Sequence, residues 1–216
     1  MNKFVAAGVL SAMMLSPVVA HAATADLKLI GTITPSACVP NFTGGATIDY
    51  GNIPAGSLNV AAQTMLPQKT TTLSVVCDAP VAFALKSTDE RAASAITTLT
   101  TVAGVAANGK YGLGVAPGGV NIGAYTLFLS GETSDTGATR RLASDNGGTT
   151  WVPFGGSVNS SRLIGFSDSA SGTAPTAHTS VTVNVAVVAA VDQASNLPLT
   201  DDIVIDGLST FEVVYL

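Results

Sequence analysis

Apolar residues recur at every second position along much of this chain, the period of a β-strand with one covered face, and nowhere at useful length with the 3.6 period of a helix. The clearest runs are Leu73, Val75 and Cys77, then Val81, Phe83 and Leu85, then Val181, Val183, Val185 and Val187. Others are Tyr125, Leu127 and Leu129, the span 162–166, and Phe211, Val213 and Tyr215 against Glu212, Val214 and Leu216. Near the start, Ala25, Leu27, Leu29, Gly31 and Ile33 alternate with Asp26, Lys28, Ile30, Thr32 and Thr34, and Pro35 ends the run.

Turn chemistry separates the runs. Asp78-Ala79-Pro80 predicts a break, so that residues 70–77 and 81–86 become neighbouring strands. Pro117-Gly118-Gly119 predicts a turn after a short strand at 111–115. Asp145-Asn146-Gly147-Gly148 joins two hairpin arms, 140–144 and 149–154, with residues that tolerate positive φ. A last turn is expected at Asp206-Gly207, between a strand carrying Ile203 and Ile205 and the final one. Residues 88–123 blur into Ala, Thr and Gly and are the least legible. Many short strands with Gly and Pro turns, and no fixed-period repeat, predict an all-β, immunoglobulin-like β-sandwich.

The first 22 residues stand apart. Lys3 precedes an apolar stretch from Phe4 to Leu15, Pro17 breaks it, and Ala20-His21-Ala22 supplies small residues, the order of a secretory signal peptide cleaved after Ala22. The apolar stretch is shorter than the roughly 20 residues that span a bilayer; retention as a membrane anchor is the alternative. The expectation is an exported protein, residues 23–216 forming one sandwich domain and no segment of it inserting in a membrane.

Composition narrows the function classes. Only 11% of residues are charged and the net charge is −5, which argues against a nucleic-acid or anionic-membrane partner, since those are held by clustered Lys and Arg. So low a charge also hints that much of the surface ends against other copies. Cys38 and Cys77 are the two cysteines. In an exported protein one disulfide is the simplest reading, contributing roughly 4 kcal/mol by loop closure. Two free thiols or a metal pair are the alternatives, with no other soft ligand near them in sequence.

Catalytic chemistry is hard to assemble from these residues. Beyond the leader there is a single histidine, His178, in the loop-like stretch 176–179, read as a surface residue. No Gly-x-Ser-x-Gly elbow, His-Glu-x-x-His helix or phosphate-cradling loop is present. Gly112-Leu113-Gly114 departs from the dinucleotide spacing. Asp201-Asp202, with Asp206 nearby, reads as a solvated edge rather than a cation or glycosidase site. No enzyme, cofactor or metal is expected.

Three features then combine: the leader, the Cys38 and Cys77 pair early in the mature chain, and the alternating strand ending Phe211-Glu212-Val213-Val214-Tyr215-Leu216. Together they resemble the subunits of bacterial chaperone-usher pili. More narrowly, residues 31–38, Ile48-Asp49-Tyr50-Gly51-Asn52-Ile53-Pro54 and residues 73–80 resemble the β-fimbria major-subunit family, much of it known only as a domain of unknown function. The resemblance implies a sandwich lacking one strand, its open edge filled first by a periplasmic chaperone and then, at an outer-membrane usher, by the N-terminal segment of the next subunit. It implies donor residues Ala25, Leu27, Leu29, Gly31 and Ile33 within a short segment, 23–33, and an acceptor edge carrying Phe211, Val213 and Tyr215. Only residues 23–37 separate the cleavage site from Cys38, so either the arm is very short or residues 25–34 are the first core strand. The expected function is a structural subunit of a surface fimbria supporting adhesion or biofilm formation. The alternative is a self-complete secreted binding module for a carbohydrate or host surface, with Trp151 and Tyr125 as candidate contacts unless, as the competing reading has it, both are buried in the core.

Overall fold

A computed structural model describes residues 27–34, 36–101 and 104–216. The leader, the start of the mature chain, Ala25 and Pro35 lie outside the described residues. Thirteen strands follow in order: β1 (Cys38–Thr43), β2 (Thr64–Met65), β3 (Lys69–Asp89), β4 (Tyr111–Gly112), β5 (Val115–Ala116), β6 (Val120–Asn121), β7 (Gly123–Ser134), β8 (Gly137–Ala138), β9 (Arg140–Ser144), β10 (Val152–Pro153), β11 (Leu163–Ser167), β12 (Ala177–Val191) and β13 (Ser209–Tyr215). Short 3₁₀ turns are the only helical pieces among the described residues, and no helix there is long and apolar enough to cross a membrane. The ladders between strands are all antiparallel, and the fold is the all-β sandwich the alternation predicts.

The 21-residue strand β3 organises it. Its first half pairs with β12 on one side and β1 on the other, and its second half with β11 and β13. One layer therefore runs β4-β7-β12-β3-β1 and the other β10-β9-β11-β3-β13. The predicted break at Asp78-Ala79-Pro80 is instead a bulge inside one continuous strand. The register with β12 jumps from Val76↔Ser180 to Val81↔His178, and Pro80, which has no N–H to donate, sits in the irregular stretch. Residues 81–86 are thus not a neighbouring strand but the same strand entering the second layer, as chains do at sandwich corners.

The inward residues of both layers meet in one core. Leu73, Val75, Phe83 and Leu85 of β3 pack with Leu127 and Leu129 of β7, Ile164 and Phe166 of β11 and the four valines of β12, from Val181 to Val187. The Phe83 and Phe166 rings lie 6.1 Å apart. Two tyrosines fill the end near β4: Tyr111 bonds Ser87 Oγ at 2.5 Å and Tyr125 bonds Ser209 Oγ, so each buried hydroxyl has a partner. Burial pushes the Tyr111 hydroxyl up to about 12, and that of Tyr125 upward as well. On the outer face, Gly165 lets Trp151 and Pro175 lie over β11; a Cβ there would stand 2.4 Å from Pro175 Cγ.

Several expectations are corrected. Residues 27–34 form no strand, and Leu27, Leu29, Ile30 and Ile33 are exposed, so this stretch is not the first core strand. That place is taken by β1, which begins at Cys38 because the Cys38–Cys77 disulfide fixes it against β3. Ile203 and Ile205 belong to a covering loop, and Asp206-Gly207 makes no hairpin turn: Asp206 donates its N–H to Leu113 O and its carboxylate meets Arg91 at 2.8 Å. The illegible span holds three 3₁₀ turns and the short strands β4 to β6, with Gly118 and Gly119 at positive φ in the predicted turn.

Candidate functional site

The candidate site is the flank where β1 and β13 lie side by side. Among the described residues each pairs with β3 alone, so each carries one edge of unpaired backbone N–H and C=O groups. The two run in opposite directions. Cys38 donates its N–H to Tyr215 Oη at 2.8 Å, and four residues along on each strand the Phe42 and Phe211 rings meet edge-on at 5.9 Å. Side chains touch across this seam, but no backbone ladder joins it.

Burial distinguishes the seam from the rest of the sandwich. Val213 lies opposite Leu85 and Tyr215 opposite Phe83, so Phe211, Val213 and Tyr215 all point toward the core face. Leu85 and Phe83 are each only 2% exposed, whereas Phe211 and Val213 are half-buried and Tyr215 is 49% exposed. On β1, Phe42 is half-buried and Pro40 exposed although both face inward. Ile48, Tyr50 and Ile53, from the segment after β1, pack beside the core and are likewise incompletely covered. The Tyr50 hydroxyl is buried without a partner, and that burial raises its pKa.

The disulfide sets this geometry. It ties β1 to the middle of β3, with Asp78 bracketing it: Asp78 Oδ1 accepts from Ala37 N–H at 2.9 Å, and Asp78 N–H donates to Ala37 O. Of the expected site residues, the structure thus gathers Cys38, Cys77, Phe211, Val213 and Tyr215 on one flank. Leu27, Leu29, Gly31 and Ile33 lie in a separate unit, residues 1–34, and Ala25 is outside the described residues.

Two other sequence candidates are buried, Tyr125 in keeping with the core reading and His178 against its reading as a surface residue. Tyr125 is 6% exposed and belongs to the core, which removes it as a surface contact. His178 is 1% exposed rather than a surface residue, because the β3 bulge turns it inward. Its Nε2 lies 3.1 Å from Thr176 Oγ1 and its Nδ1 3.4 Å from Asp135 Oδ1. The Asp135 carboxylate accepts from Thr179 N–H and Oγ1–H, and these bonds hold its pKa down at about 2. The hydroxyl, imidazole and carboxylate follow the order of a nucleophilic relay. Thr176 Oγ1, however, already accepts from Asp168 N–H, and the three groups line no substrate-sized cavity among the described residues.

Sequence comparison places the chain beside proteins of little-defined role. Residues 27–126 match the family described as "Protein of unknown function (DUF1120)". That match spans the exposed stretch 27–34, the disulfide, β1 and the whole of β3, and stops within β7. The chain is also similar to Protein GltF of Escherichia coli (strain K12), at 29% identity over a 241-residue alignment covering 96% of this chain and 94% of that protein.

Proposed function

We propose that this protein is a structural subunit of a bacterial surface fibre, exported through the periplasm and polymerised by strand addition at the seam between β1 and β13. The observation that carries the reading is two neighbouring edges without backbone partners, lined by half-buried Phe42, Phe211 and Val213. An incoming strand supplies the missing ladder and brings alternate side chains over the seam. The segment suited to this on a second copy is the period-two run Ala25, Leu27, Leu29, Gly31 and Ile33, whose leucines are 97% exposed and engaged in no sheet of their own chain. A periplasmic chaperone occupies the same seam before assembly, and an outer-membrane usher exchanges one strand for the other. The protein has no catalytic activity in this reading; adhesion or biofilm formation is the outcome of polymerisation.

The test is expression of the chain into a bacterial periplasm with and without a pilus-type chaperone, followed by sizing. Recovery only as a one-to-one complex, or as multimers that dissociate on heating, is the expected result. A monodisperse monomer that unfolds cooperatively alone, and takes up no peptide of residues 23–34, overturns the reading in favour of a self-complete binding module.

A further inference from the structure

The opposite flank holds a second feature that strand addition does not use. A cavity of about 340 Å³ opens there, lined by Glu132 of β7, Thr139, Arg140 and Arg141 of the β8–β9 connection and β9, Pro153 of β10, Phe154 just after it, and Ala170. Neither β1 nor β13 reaches it.

Its charges are unequally satisfied. Arg141 crosses between the layers, donating to Leu129 O and holding Glu132 Oε2 at 3.0 Å, with both side chains largely buried. Arg91 and Arg162 are likewise matched, by Asp206 and Asp145. Arg140 alone of the arginines has no carboxylate partner among the described residues; its Nη1 donates only to Gly172 O, at 3.2 Å. A guanidinium so placed favours a bidentate oxyanion, and the surrounding −5 chain makes this a local exception in sign. Thr139 Oγ1 is buried beside it with no hydrogen-bond partner, a group whose desolvation is uncompensated until something bonds it. Glu132 presents acceptor oxygens, and Phe154 and Pro153 present apolar surface.

We infer that this cavity binds a single carboxylate-bearing sugar residue, of the uronate kind, with the carboxylate on Arg140, a ring hydroxyl on Thr139 and the apolar face of the ring toward Phe154. The size fits one pyranose, at the small end of ligand pockets. A simple carboxylate satisfies only Arg140 and a neutral sugar only Thr139 and Phe154, so the combination selects the acidic sugar.

The experiment is titration of the folded chain, alone or complemented by the 23–34 peptide, with glucuronate, glucose, acetate and a glutamate-containing peptide, followed by calorimetry or by NMR. Glucuronate is expected to bind at least tenfold more tightly than each of the other three. Arg140→Gln and Thr139→Val are each expected to weaken it at least tenfold, with the unfolding midpoint unmoved. Equal binding of glucose or of the acidic peptide overturns the inference, as does the absence of glucuronate binding or indifference to both substitutions. Because the cavity lies away from the seam, binding in a chain that never polymerises, or polymerisation without binding, separates this inference from the fibre reading.

Discussion

The two flanks of the sandwich are built from the same kind of strand and closed in different ways. At the β7–β9 flank the chain stitches its own layers together: Val158 donates its N–H to Leu127 O at 2.8 Å, Phe128 bridges Ser157, and the Arg141–Glu132 pair spans the gap. Val158 is 1% exposed as a result. At the β1–β13 flank the contacts are Phe42 against Phe211 and Cys38 against Tyr215, with no ladder, and the apolar side chains stay half-covered. What differs is whether a crossing segment satisfies the backbone, and so whether the apolar side chains at that flank are fully buried within the one chain.

That contrast can be broken at several points. Replacing both cysteines by serine frees β1 from β3 and is expected to cost about 4 kcal/mol, the largest single loss, seen as failure of the folded chain to accumulate or as a much lower denaturant midpoint. Truncating the closed side, Ile164→Ala, should cost about 3 kcal/mol whether or not a partner strand is present, measured by denaturant unfolding. The matching truncation at the seam, Val213→Ala, should cost only about 1 kcal/mol in the isolated chain, because the side chain is half-exposed. With the 23–34 peptide bound its cost should approach that of the closed side; an unchanged value would mean that the seam is not the docking edge.

Two pH limits sharpen the picture further. Tyr111 and Tyr125 hold their protons more tightly when folded than at the ordinary value of 10.0. The unfolded chain therefore ionises first as pH rises from 10 toward 12, and stability falls through that window, checked by unfolding midpoints alongside tyrosinate absorbance. Replacing Tyr111 by Phe should shrink this limb. Asp135 is the reverse case: its folded value of about 2 lies below the ordinary 3.8, so its contribution is complete above that value and is lost as pH falls toward 2. The group is exposed, so the effect should be the smallest of the set, and Asp135→Asn should flatten it.

The legibility of the sequence follows the same division. Val181 to Val187 announce β12 because one face is buried along its whole length, and the Asp145 to Gly148 turn announces its hairpin because the chemistry is local. The edge strand β1 is hard to read because outward Val39 is as apolar as its inward neighbour Pro40, which erases the alternation. Residues 27–34 show the converse, a strand pattern that no strand of the chain uses. His178 sits among Thr and Ala and reads as a loop, yet the bulge on a strand a hundred residues earlier buries it. The inward-facing residues Phe211, Val213 and Tyr215 of β13 are legible because alternation and position coincide. The Arg140 cavity is not, since it depends on Glu132, Phe154 and Ala170 arriving from separate elements.

The disulfide has a mechanical side as well. A pull on residue 34 reaches the sandwich through residues 35–37 and arrives at Cys38, the first residue of β1. There a covalent bond to Cys77 hands the tension directly to the midpoint of β3, so the six-residue β1 ladder is bypassed rather than unzipped. From Cys77 the load divides along one strand into both layers. If copies join through residues 23–34 as proposed, a pull would load this covalent path before it loads the β1 ladder.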